Sequence, residues 1–162
     1  MKRSRLRRAQ LQYTEAIPQV NDTTYDQLKN ELMEIDNRIP NLGKKILPKD
    51  YQMTFNSPYL AISKPSQDKK LDTDTAKVIV TRTLQGALHE QYVNAWGSYF
   101  VITTCRVRSI YGRNVNTKLK EGIVVIRLSK LVIIARYEAP ETSFTFIPKV
   151  ELLADKLASM GY

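Results

Sequence analysis

Three groups of residues in this chain carry side chains capable of chemistry. They are the lone histidine beside an acid, His89-Glu90, the lone cysteine, Cys105, and the arginines and lysines interleaved with tyrosine and asparagine from Arg106 to Lys120. A nucleophile needs a base within hydrogen-bond reach, and one histidine can serve only one such pair. Neighbours on a helix do not face each other, so His89 and Glu90 are not such a pair. Cys105 sits in an alternating apolar run and reads as a small core hydrophobe. What remains for catalysis is His89 with a distant acid or tyrosine, a small metal-independent nuclease on a basic protein. A single histidine and a single cysteine leave no disulfide framework and no structural zinc site. Neither G-x-x-x-x-G-K-[ST] nor G-x-G-x-x-G occurs, so no cofactor is expected. The non-catalytic reading is therefore preferred to the enzymatic one.

Charge gives the clearer signal. Among 162 residues, 25 Lys and Arg face 16 Asp and Glu, for a formal charge of +9. The excess lies in two places. Lys2, Arg3, Arg5, Arg7 and Arg8 form an N-terminal arm without an acid, and residues 76–136 carry ten bases against two acids. Arginine pairs bidentately with phosphate, and the stretch holding Arg106, Arg108, Tyr111, Arg113, Lys118 and Lys120 offers charge for a backbone and aromatic faces for bases. The expectation is a non-catalytic basic binding module that contacts nucleic acid or another polyanion through the arm and a basic strand face. The alternative is a structural subunit of a viral, phage or ribonucleoprotein assembly, or a homo-oligomer, in which the arm reaches over a neighbour. No apolar stretch approaches a bilayer span, and no signal-like apolar run follows the arm. The expected location is the reducing cytoplasm or the interior of a viral or nucleoprotein particle.

The elements that must hold these residues follow from periodicity. Thr24 and Gln27 have capping-box spacing, and Tyr25, Leu28, Leu32 and Ile35 form the stripe of a helix that should end before Pro40. Prolines 40, 48, 58 and 65 predict an irregular stretch with one hairpin around Tyr51–Phe55 and Tyr59–Ile62. A second helix, capped near Asp72, is predicted to run to Gly97, where Trp96 would anchor its end. From Ser98 the period is two. Tyr111 to Asn114 reads as a turn and Asn116 to Lys120 as a short polar strand. Ile123–Leu128 and Leu131–Tyr137 then read as central strands buried on both faces, joined at Ser129-Lys130. Phe144 and Phe146 suggest a further strand, and Pro148 the first turn of a last helix.

The expected fold is α+β: an antiparallel sheet of three to four strands packed on one face by helices, with an N-terminal helix and a basic arm. The expected organisation is a flexible arm over 1–12, a helix and irregular connection over 13–75, and an α-β-β-β-α core over 76–162, together one compact domain. The open sheet face would collect Arg106, Arg108 and Lys118 or Lys120, with Arg127 or Arg136. The order helix, three strands, helix resembles that of double-stranded RNA-binding domains. Those open their last helix with several lysines, whereas Pro148-Lys149-Val150-Glu151 supplies one.

Overall fold

The computed structural model describes residues 24–31, 36–65, 70–116, 118 and 120–162. The arm, with Lys2, Arg3, Arg5, Arg7 and Arg8, lies outside them, as do Leu32 and Ile35 of the first stripe.

Two helices open the described chain. Helix α1, Tyr25–Glu31, starts at the expected capping box: Thr24 Oγ1 accepts from the Gln27 amide at 3.2 Å, and Gln27 Oε1 from the Thr24 amide at 2.8 Å. Helix α2, Arg38–Ile46, lies where an irregular stretch was predicted. Pro40 does not end a helix there. It occupies the first turn, where an amide has no intrahelical partner to lose. The predicted hairpin follows as β1, Gln52–Asn56, and β2, Tyr59–Ser63. Helix α3, Thr73–Leu84, begins with Asp72 Oδ1 accepting from the Thr75 amide at 2.6 Å. It ends well before Gly97, because Gly86 takes φ +71° and turns the chain away.

The remaining strands are β3, Val93–Ala95; β4, Ser98–Cys105; β5, Ser109–Asn114; β6, Gly122–Arg127; and β7, Val132–Tyr137. Helix α4, Ser143–Ser159, closes the chain. Trp96 and Gly97, at φ 51° and 72°, make the tight β3–β4 turn that positive φ at both positions requires. The stretch read as a turn, Tyr111 to Asn114, is half of β5. Gly112 is there for close approach, since a Cβ would lie 2.8 Å from the Val101 carbonyl oxygen across the strand. Phe144 and Phe146 are not in a strand. Both belong to α4, with Pro148 in its second turn.

The seven strands form one sheet in the order β1-β2-β7-β6-β5-β4-β3. All neighbours are antiparallel except β2 and β7, which pair in parallel from Tyr59↔Val132 to Ile62↔Ala135. The sheet is therefore mixed and twice as wide as the expected three to four antiparallel strands. Helices cover both faces rather than one. On the first face α2 and α4 pack over Leu60, Ile62, Val124, Ile126, Ile133 and Ala135, with Phe146 wedged between Tyr51 and Tyr137 at ring distances of 4.9 and 5.2 Å. On the second, α1 and α3 pack over Tyr59, Ile123, Val125, Val132 and Ile134. The reason is in β6 and β7, whose twelve residues are all buried. Strands apolar on both sides need cover on both sides, at roughly 1.5–3 kcal/mol for each large side chain taken from water.

Candidate functional site

The sheet is wider than the helix on its first face. Helix α4 lies over β7 and β6, and the first-face side chains of β5 and β4 emerge beyond it. Two cross-strand rows run from beneath the helix out to the uncovered strands: buried Tyr137 and Gly122 to exposed Arg113 and Val101, and beside them buried Ala135 and Val124 to half-buried Tyr111 and Thr104. A register shift between Ile102 and Thr104 puts Thr104, not Cys105, opposite this face, and Cys105 turns to the second core. Gly122 shapes the first row. A Cβ there would meet the Tyr137 ring at 2.1 Å, so the missing side chain is the space the ring occupies.

Between this end of the sheet and the start of α4 lies a cleft of about 550 Å³, lined by Tyr111, Tyr137, Arg106, Arg113, Phe144 and Pro148 among others. A second depression, about 760 Å³, continues from it along α4 past Val107, Arg108 and Glu151. Phe144 stands at the mouth, 89% exposed. It is on the helix side opposite the buried stripe Phe146, Val150, Leu153, Ala154 and Leu157. Tyr99 and Val101 of β4 are exposed on the same face.

The arginines here have different partners. Arg108 Nη2 reaches α4 and pairs with Glu151 at 2.8 Å and Asp155 at 2.6 Å. The Tyr111 hydroxyl donates to the other Glu151 oxygen. Burial would raise the Glu151 carboxyl, but hydrogen bonds from Ser109, Tyr111 and Arg108 outweigh it and hold the group below its ordinary value. Burial, reinforced by Glu151, pushes the Tyr111 hydroxyl up to about 12. Arg106 and Arg113 are exposed and form no ion pair among the described residues.

The expected basic face is thus broken. Of its residues, Arg106, Tyr111 and Arg113 meet at the cleft, while Arg108 is neutralised on α4. Lys118 and Lys120 are exposed in the loop after β5, off the cleft lining. Arg127 and Arg136 are buried. Arg136 lies on the second face, bonded to Glu121 at 2.9 Å and Glu138 at 2.8 Å. Burial lowers the pKa of Arg127. His89 lies in the short 3-10 turn Leu88–Glu90, and burial raises the Cys105 thiol. Among the described residues no cluster of His, Cys, Asp or Glu could hold a metal ion, and no helix is long and apolar enough to cross a membrane.

Sequence reasoning placed Tyr99 and Tyr137 near this sheet face but missed Phe144, Val101 and Glu151 as parts of the site. The signal for Phe144 was present: Thr142 and Thr145 have capping spacing, and the Thr142 amide donates to Thr145 Oγ1 at 2.9 Å. A helix started there puts Phe144 off the apolar stripe.

Comparison with known proteins places the fold in a family. The chain matches the family described as Profilin over residues 56–162. Its fold is similar to that of Acanthamoeba castellanii profilin IB, at 21% identity and TM-score 0.51, and of profilin IA from the same organism, at 20% and 0.50. A Schizosaccharomyces pombe profilin gives 20% and 0.50; each likeness covers 60% of this chain and 75% of the other. No curated protein matches. The family match overturns the expected nucleic-acid-binding module, the viral, phage or ribonucleoprotein subunit and the nuclease. It also displaces the resemblance to double-stranded RNA-binding domains, whose three-strand order is only part of this seven-stranded sheet.

Proposed function

This chain belongs to the profilin family, and from that premise we propose that it is a non-catalytic actin-binding protein that docks through the open end of its sheet. Profilins are actin- and poly-proline-binding proteins, which makes protein rather than nucleic acid the partner class. The observation that carries the placement is Phe144. A phenylalanine 89% exposed is costly in water, and large aromatics at the centre of a surface patch are the residues that anchor protein interfaces. Tyr99 and Val101 extend the apolar patch across β4. Arg106, Arg113 and Tyr111 form its polar rim. The reading locates the protein in the cytoplasm with its partner.

The test is titration of fluorescently labelled monomeric actin with wild-type protein and with Phe144→Ala. Truncating an anchor costs about 2 kcal/mol or more, roughly a thirtyfold rise in Kd. The far-ultraviolet circular dichroism should not change, because the side chain packs against little. Equal affinity of the two proteins for actin would refute the placement. No affinity in either would refute the function.

A further inference from the structure

We propose that Glu151 is a positioning residue of the docking face: by tying α4 sideways to β5 it fixes where Phe144 stands above the open strands. The consequence for affinity rests on the actin reading, and the positioning rests on the contacts alone.

Helix α4 is held down by its apolar stripe, Phe146, Val150, Leu153, Ala154 and Leu157, which belongs to the core over β6 and β7. Burial of that kind is non-directional. It opposes lifting the helix, and it leaves the roll of the helix about its own axis to bonds that have direction. Phe144 adds little to the hold, since it is 89% exposed. Residues seven apart on a helix fall within about 20° of one another around the axis, two turns on. Phe144 and Glu151 therefore share one side of α4, the side turned to the cleft and to the depression that continues it. A roll that moves one moves the other.

The polar contacts on that side converge on Glu151. One carboxylate oxygen accepts from Arg108 Nη2 at 2.8 Å, and the other from the Tyr111 hydroxyl. Ser109 bonds the same group. Donors from β5 and from the turn before it thus meet on one side chain of the helix, itself only 23% exposed, and charge-assisted bonds are the strong ones. The donors are fixed in their turn. The Arg106 amide donates to the Ser109 carbonyl oxygen at 2.8 Å, closing the β4–β5 turn, and the Arg127 amide donates to that of Arg108 at 2.8 Å, seating the turn on β6. Neighbouring groups do not replace Glu151. Asp155 also pairs with Arg108, at 2.6 Å, but it is 64% exposed, where water screens the attraction. The Lys149–Glu141 pair, at 3.5 Å, joins α4 only to its own lead-in. Tyr162, bonded to Asp36 and Arg38, ties the far end of α4 to α2. None of these reaches β5.

The experiment uses the full chain with Glu151→Leu and Arg108→Leu, which open the clamp from its two sides, and Glu151→Gln, which keeps an acceptor for Tyr111. The first readout needs no partner. Nitroxide labels on Phe144→Cys and on Tyr92→Cys, an exposed position beside β3, report their separation by electron paramagnetic resonance in a Cys105→Ser background. The expected result is one narrow distance distribution in the labelled parent, displaced or broadened by Glu151→Leu and by Arg108→Leu, and less by Glu151→Gln. A distribution unchanged by all three would overturn the proposal. The second readout is the titration of labelled monomeric actin with the unlabelled proteins. Glu151→Leu should weaken binding about fivefold when Phe144 is present and change nothing further in a Phe144→Ala background. An equal loss in both backgrounds would make Glu151 a contact in its own right and overturn the proposal. Absence of actin binding by the wild-type protein would refute the function instead, and the label distances would still decide the positioning.

Discussion

Replacing Gly122 by alanine tests the account of the cleft at its tightest point. The new Cβ would lie 2.1 Å from Tyr137 Cζ and 2.2 Å from its hydroxyl oxygen. Carbon atoms rest at about 3.5–4.0 Å, so the ring would have to retreat by about 1.5 Å. It has little room, because Tyr137 is buried and its ring packs on Phe146, which packs on Tyr51. Two effects oppose each other. Alanine for glycine at a tolerant position gains about 0.4–1 kcal/mol by restricting the unfolded chain. Overpacking a dense core costs about 1–3 kcal/mol. The second should win, leaving the variant destabilised by about 1–2 kcal/mol, a fall of several degrees in Tm for a chain of this size. Thermal melts of wild type, Gly122→Ala, Tyr137→Ala and the double variant form the assay. The two changes should be strongly coupled, since removing the ring removes the clash and leaves alanine's gain. A stabilised single variant, or equal destabilisation by Gly122→Ala with and without the tyrosine ring, would refute the claim that the missing Cβ is the ring's seat.

Two further outcomes can be measured on the same preparations. The Glu151 carboxyl titrates below its ordinary 4.5, so the stability it confers is fully present above that value and lost as pH falls through the lower folded pKa. Glu151→Gln should therefore flatten the acid limb of Tm against pH, and an unchanged limb would refute the network with Arg108 and Tyr111. The Arg136 and Glu121 side chains are 2% and 0% exposed. Glu121→Gln should cost about 3–5 kcal/mol in urea unfolding by leaving a buried guanidinium short of its partner, and Arg136→Met with Glu121→Leu should cost less than that single change.

The parts of the fold written in local pattern were legible. Ile123–Leu128 and Leu131–Tyr137 are so uniformly apolar that central strands follow from the sequence, and the caps at Thr24 and Asp72 are visible as side-chain types at fixed spacing. The sheet's width was not. β2 pairs with β7 across some seventy residues, and no local period records which distant strand completes a neighbour. Glycine and proline misled where their role was tertiary. Gly112 makes close approach rather than a turn, and Pro40 and Pro148 sit inside helices. The charge misled for another reason. Net charge bears on solubility and association, and composition cannot tell an exposed Arg113 from a buried Arg136 or a paired Arg108. The cleft was half legible, since Arg106, Tyr111 and Arg113 share a short stretch, whereas Phe144 enters from a helix thirty residues on.

The parallel pairing of β2 with β7 also orders events on the ribosome. The β1–β2 hairpin emerges early, yet its neighbour in the sheet begins at Val132. At about 5–20 residues per second, the open edge of β2 waits several seconds for the strand that will cover it. Meanwhile its row of unpaired amides and carbonyls, beside the apolar Tyr59–Ile62, is a ready template for pairing with another chain. The hairpin made first is installed last, and a polypeptide halted before Val132 carries that edge uncovered for as long as it survives.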